Sequence, residues 1–291
     1  MAEHPLSRPF LERFAVPARR STLPHVWYLG DWDRRPHIEP IAEVATFELD
    51  CSPEVGRYVA GVQNRLDRAI EDVTSGRAAT MKHWLPVLEF IAVHFVCSPT
   101  MLGPLGLELD SLVVEGALTP DQGDAEFERL TAHLDLATFM QLVQCATATC
   151  SNLEVELACP QDGGGFLTCD VPVCADDVSD LFEEVGVQVW FPLSPDVALL
   201  MHGEERWAPI MSLSVEGQKP GTVRPIGPPQ QIQLRCSTDK PILVECEVYN
   251  ALLAYWGQKL FSRSRAAIDA ALARLIELGA EDDYPYRYRP G

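Results

Sequence analysis

Asn152-Leu153-Glu154-Val155-Glu156-Leu157-Ala158-Cys159-Pro160-Gln161-Asp162-Gly163-Gly164-Gly165-Phe166-Leu167-Thr168-Cys169-Asp170-Val171 is the stretch where the chain changes period. Leu153, Val155, Leu157 and Cys159 alternate with Asn152, Glu154, Glu156 and Ala158, the spacing that sends successive side chains to opposite faces of a strand. Residues 160–165 tolerate turn dihedrals, so 166–171 is expected to return as the second strand of a hairpin. Further on, 187–191 and 197–201 read as another strand pair joined by Pro192-Leu193-Ser194-Pro195-Asp196, and 217–229, rich in Gly and Pro, reads as a loop. A mainly antiparallel β region over about 151–240 is therefore expected.

Helical spacing surrounds this region. Ser52 is placed as an N-cap, Pro53 at the first helical position and Glu54 in the first turn, where the helix dipole favours an acid. Val55, Tyr58, Val59, Val62, Leu66, Ile70 and Val73 then share one face, and Gly76 follows as a stop. Residues 84–97 are apolar on all sides and predict a buried helix, too short to span a bilayer. Thr119-Pro120-Asp121-Gln122 has the form of a capping box, with helices expected over 124–134 and 136–149. Two more are expected over 243–256 and 264–278, while His25–Gly30 is a short β-type run. The sum is one α+β domain over 1–291: a helical region at about 40–150, the β region, C-terminal helices at about 243–279 and a loose tail at 280–291. The sheet is expected to pack against helices at one face.

The 291 residues carry 42 acids and 23 bases, a formal charge of −19, with lysine only at 82, 219, 240 and 259. Phosphate backbones are bound by clustered Lys and Arg, so nucleic acid is excluded as a partner, and an anionic membrane surface is disfavoured on the same ground. The charge is local: 151–218 hold thirteen acids against Arg206 alone, whereas 1–35 hold four acids and six bases. Any charged ligand is expected to be cationic. Met1-Ala2-Glu3-His4-Pro5 has neither the charged nor the apolar region of a secretory signal, which predicts a cytoplasmic chain. The nine cysteines form no CxxC pair and read as buried apolar residues in a reducing compartment, with Cys145/Cys150 and Cys169/Cys174 as the pairs a fold could bring together.

His4-Pro5-Leu6-Ser7-Arg8-Pro9-Phe10-Leu11-Glu12-Arg13-Phe14-Ala15, Phe166-Leu167-Thr168-Cys169-Asp170-Val171-Pro172 with Phe191-Pro192-Leu193-Ser194-Pro195-Asp196, and Val248-Tyr249-Asn250-Ala251 occur in an order that resembles a mostly bacterial family, domain of unknown function 4238. The resemblance spans about 4–263. It departs at Ser7, where the family has Pro, at Cys169, where it has Ser, and around Cys97-Ser98, where it often has Arg. It implies a fold and no reaction.

Each matched segment presents one polar group among apolar neighbours: His4, Asp170 and Asn250. Such groups persist only when hydrogen-bonded, so they mark a structural network or a site. Asp170 is a candidate catalytic carboxylate or a turn-capping group; Asn250 and His4 are candidate ligand-binding residues or, respectively, a cap and a packing residue. Glu89 and His94 lie on the most apolar helix, about 140° apart at five residues' separation, and are further acid/base candidates. His83 and His94 share a face but stand too far apart along the helix for one metal. His37-Ile38-Glu39 lacks the Pro-Cys-x-x-Cys partner of a deaminase zinc motif. GxGxxG, phosphate-loop, GxSxG and HExxH signatures are absent from the sequence, and it specifies no cofactor or oligomeric state. Three readings follow: an enzyme or tailoring protein acting on a cationic small molecule or short peptide, a binding or interaction protein using an acidic face, and a metal-dependent hydrolase.

Overall fold

A computed structural model describes residues 6–16, 23–30, 33, 35–45, 52–75, 81–97, 113–114, 116, 118–123, 125, 136–150, 153–161, 164–175, 189–202, 211–213, 223–225 and 235–278. In chain order the strands are β1 (His25–Gly30), β2 (His37–Pro40), β3 (Glu154–Pro160), β4 (Thr168–Cys169), β5 (Cys174–Ala175), β6 (Val189–Ser194), β7 (Val197–His202), β8 (Met211–Leu213), β9 (Val223–Pro225), β10 (Arg235–Val244) and β11 (Lys259–Ser262). The helices are α1 (Arg8–Glu12), α2 (Ile41–Val44), α3 (Pro53–Thr74), α4 (Met81–Cys97), α5 (Leu136–Cys150), α6 (Cys246–Trp256) and α7 (Arg265–Glu277). The expected α+β class holds. His4, Gly76, the greater part of the helix expected over 124–134 and the 280–291 tail lie outside the described residues.

The strands form a five-stranded sheet, β10-β3-β7-β6-β5, a four-stranded sheet, β2-β1-β11-β4, and the separate pair β8-β9. Pairing is antiparallel except between β10 and β3, whose register shifts between Ser237 and Ile242. The hairpin expected from the glycine turn does not form. β3 pairs with β7, and β4 leaves for the other sheet to pair with β11, Leu260 opposite Cys169 and Phe261 opposite Thr168. Both β1 and β11 come from parts of the chain outside the expected β region, and residues 243 and 244 end β10 rather than opening a helix.

Alternation along the inner strands generates two cores. Val155, Leu157, Val189, Phe191, Leu199 and Met201 join α1, α3, α4 and α5 in one apolar cluster. Ala158, Trp190, Ala198 and Leu200, on the opposite face, join α6 and α7 in another. β1 and β11 divide likewise, Val26 and Phe261 to the first cluster, Leu29 and Leu260 to the second. Helices therefore cover both faces, which corrects the one-sided packing expected. It also explains why β6 reads as a nearly continuous apolar run. Phe191 is the contact point of the first core, its ring stacked on Phe10 of α1 at 5.7 Å and tilted against Phe90 of α4 at 5.2 Å.

Local signals place the helices. Ser52 Oγ accepts from the Val55 amide at 3.3 Å, with Pro53 and Glu54 as expected. Thr119 and Gln122 form the reciprocal capping box, at 2.9 and 3.3 Å. α6 ends at Gly257, whose amide donates to the Leu253 carbonyl. A Cβ at Gly257 would stand 2.5 Å from Cys169 Cβ and 3.0 Å from both Cys169 Sγ and the Leu253 carbonyl oxygen, so glycine is required here by close approach of β4. Gly257→Ala should destabilise the protein by about 1–3 kcal/mol in urea unfolding, and adding Cys169→Ala should not restore it, because the Cys169 Cβ remains.

Candidate functional site

Two of the three polar residues singled out in the matched segments meet on one piece of chain. Asn250, fully buried in the first turns of α6, accepts from the Leu167 amide through Oδ1 at 3.0 Å and donates from Nδ2 to the Gly165 carbonyl at 3.1 Å. Asp170 Oδ1 accepts from the amides of Gln258 at 2.9 Å and Lys259 at 3.1 Å, just beyond the other end of α6. The segment 165–170 is thus fastened to both ends of one helix. The matched stretch 191–196 joins them: the Phe166 amide donates to the Pro195 carbonyl at 2.8 Å. Asp196, in the same turn, takes a two-pronged ion pair from Arg263, through Nη1 to Oδ2 at 2.9 Å and Nη2 to Oδ1 at 2.5 Å.

Gly165 sits in the left-handed region, φ +83°, and an added Cβ would lie 3.2 Å from the Pro195 carbonyl and 3.3 Å from the Arg263 guanidinium. Its conformation lets the chain turn beneath that arginine. Burial pushes the Asp170 carboxyl above the ordinary range, partly opposed by the amides of Lys259 and Gln258. Cys169 donates from Sγ to the Val171 carbonyl at 2.9 Å, and its thiol is held far above the usual range by burial and then by neighbouring Cys174. Cys150, Cys159, Cys169, Cys174 and Cys246 are free thiols, all but Cys159 buried.

The helical candidates stand apart from this knot and from each other. Glu89 is not buried as its apolar helix suggested: its side chain is partly exposed and pairs with Arg65 of α3 at 2.8 Å. His94 is buried in the first core with its ring 4.3 Å from that of Phe90. One is partly exposed at the α3–α4 edge and the other is buried, as their angular separation allows. Among the described residues, no group of three or more His, Cys, Asp or Glu side chains is placed to hold a metal ion.

Sequence reasoning missed one polar pair and set the other aside as an incomplete zinc motif. His202 Nε2 lies 3.1 Å from Glu156 Oε2, and Glu154 stands directly opposite His202 in the β3–β7 register. His37 Nε2 lies 3.2 Å from Glu39 Oε1 on β2. The signal for the second was the i, i+2 spacing of His and Glu on a strand; the first needed the register of two strands. Compared with family models, curated proteins and solved structures, the chain matches none.

The bonds at Asn250 go to buried backbone groups, so its truncation leaves them unsatisfied, at about 1–3 kcal/mol for each group, whereas the amides bonded by Asp170 are partly or fully accessible to water. Asn250→Ala should cost more stability than Asp170→Asn, which retains an acceptor at the Asp170 position. The sign for Asp170 follows from its raised folded value: protonation favours the folded state, so its contribution is greatest at low pH and is lost as pH rises through that value. Asp170→Asn should abolish that decline, read as the difference between wild-type and variant unfolding free energies from pH 4 to 7. A difference constant with pH would contradict the assignment.

Proposed function

We propose that the protein is a binding or interaction protein whose acidic sheet end takes a cationic partner, a short basic peptide or a small organic cation. The observation that carries this reading is the way β3 emerges from the core. On one face Ala158 is buried under the C-terminal helices, Glu156 is half-buried and Glu154 is exposed. Two carboxylates and His202 therefore stand together where the helices stop covering the sheet, with a base, Arg235 of β10, opposite Glu154 in the register. They come from the most acidic part of the sequence. Asp170 and Asn250, by contrast, spend their hydrogen bonds on the backbone, which supports a fastening role for them over a catalytic one.

The enzymatic reading retains one supporting observation, the burial-raised carboxyl of Asp170. Such a group is suited to acid–base work, and because both described amides reach Oδ1, Oδ2 is the atom that chemistry would use. The resemblance to domain of unknown function 4238 adds a common set of segments and no reaction.

Titration calorimetry of the full chain with an oligo-arginine peptide across a salt series tests the binding reading. Affinity should fall steadily with salt, because exposed charges are screened. The double variant Glu154→Gln/Glu156→Gln should bind roughly threefold to tenfold more weakly, as expected for one exposed and one partly exposed charge. Salt-independent affinity, or a double variant that binds like wild type, would overturn it.

A further inference from the structure

We propose that His37 is a proton-responsive clasp on the outer hairpin of the four-stranded sheet, pinning edge strand β2 when its ring carries both protons. His37 and Glu39 share the face of β2 that looks onto Tyr28, which stands directly opposite His37 in the register. The Tyr28 and His37 rings meet edge to face, centroids 5.4 Å apart at 82°. His37 Nε2 is 3.2 Å from Glu39 Oε1. Its Nδ1 is 3.3 Å from the Arg35 carbonyl oxygen and 3.9 Å from Asp33 Oδ2. Each of these partner atoms is an acceptor. A neutral imidazole has one N–H, so in either tautomer a ring lone pair faces oxygen on one side; the imidazolium donates on both. Histidine is the side chain whose charge ordinarily changes between pH 5 and 8.

The surroundings hold the acceptors in place. Asp33 Oδ2 takes the Gly30 amide at 2.7 Å. A Cβ at position 30 would stand 2.8 Å from the Tyr28 hydroxyl oxygen and 3.2 Å from Asp33 Oδ2, so this glycine leaves room for both groups. The titratable and charged groups on the packed elements are His25 and Tyr28 of β1, Asp33 and exposed Arg35 of the hairpin loop, Glu39 of β2, exposed Glu43 of α2 and Lys259 of β11, which stands opposite Gly30 on the far side of β1. His25, at the other end of the hairpin opposite Pro40, has Nδ1 2.8 Å from the Leu23 carbonyl oxygen. β2 pairs with β1 alone among the described strands and carries Ile38, 46% exposed, so its hold on the sheet depends on few contacts. Charged His37 ties Glu39 to the loop at Asp33 and Arg35; the neutral ring releases one side.

Hydrogen exchange of the full chain at pH 5.5 and 7.5, corrected for intrinsic exchange rates, tests the clasp. Protection of the β1–β2 amides should fall roughly fivefold at the higher pH, the scale of one exposed ion pair, while β6 and β7 amides serve as an unchanged reference. His37→Gln and Glu39→Gln should each abolish that pH dependence, and Glu39→Gln carries the test if the histidine variant does not fold. Equal protection at both pH values in the wild type, or the same loss in a folded variant, would overturn the proposal.

Discussion

The segment 165–170 is held by side chains as well as by a two-residue ladder, and both cores meet at it. β4 contributes only Thr168 and Cys169 to its sheet, too few residues to define a strand by backbone pairing alone. Asn250 supplies what the ladder lacks at one end and Asp170 at the other. Between them Cys169 lies against Gly257, so the helix cannot shift outward to take a larger residue without losing the contact. From this segment three residues, 171–173, lead to β5, the edge of the five-stranded sheet. The two sheets are thus joined where the polar clamp is tightest. A buried amide side chain satisfied on both of its functional atoms specifies one register, because a slip would strand a donor and an acceptor together.

That junction lets both sheets separate the same two helical layers. β7 shows the consequence in single residues: Leu199 and Met201 go to the N-terminal helices, Ala198 and Leu200 to the C-terminal pair. Strands buried on both faces leave little place for charge, so acid is displaced to their ends. Glu154 and Glu156 occupy the end of β3 that α6 and α7 do not reach, and Asp196 occupies the turn at the opposite end of β7. The charge concentrated in the sequence between 151 and 218 follows from this geometry as far as the described residues go. Ion pairs at these ends are partly solvated, which makes them cheap to hold and weak as stabilisers.

Local chemistry was legible in the sequence; long-range pairing was not. The caps at Ser52 and at Thr119–Gln122, the apolar faces of α3 and α7, and the β6–β7 hairpin all depend on residues close in the chain, and periodicity exposed them. The destination of β4 did not depend on its neighbours. A glycine turn after β3 suggests a hairpin, but the turn's sequence cannot state that β11, some ninety residues later, offers a better partner. β10 was hidden for a related reason: the helix-like run from residue 243 masked the end of a strand that, among the described strands, pairs in the sheet with parallel β3 alone. At the candidate site, isolation of a polar residue among apolar ones correctly marked Asp170 and Asn250 as bonded groups. It could not say whether the partners would be backbone or ligand. The same rule misled at Glu89, since the apolar character of α4 gave no sign that Arg65 of α3 would bring that edge to solvent.

The kind of partner a polar group holds separates fastening from function in this molecule. Asn250 bonds a buried amide and a buried carbonyl, which have no water to turn to, so exchanging it for a ligand would strand buried polar groups. Asp170 spends one oxygen on two amides nearer the surface, where its role is to hold the chain after α6. Side-chain pairs at the sheet margins, His202 with Glu156 and His37 with Glu39, are bound by atoms that water, a proton or a cation can serve equally well. Their mutual affinity is small because they are partly exposed, and a small affinity is what allows a partner to compete. Interior polar residues accordingly define where the strands and helices sit. Responsiveness belongs to the margins, where strand alternation carries a histidine and a carboxylate to the same face just beyond the cover of the helices.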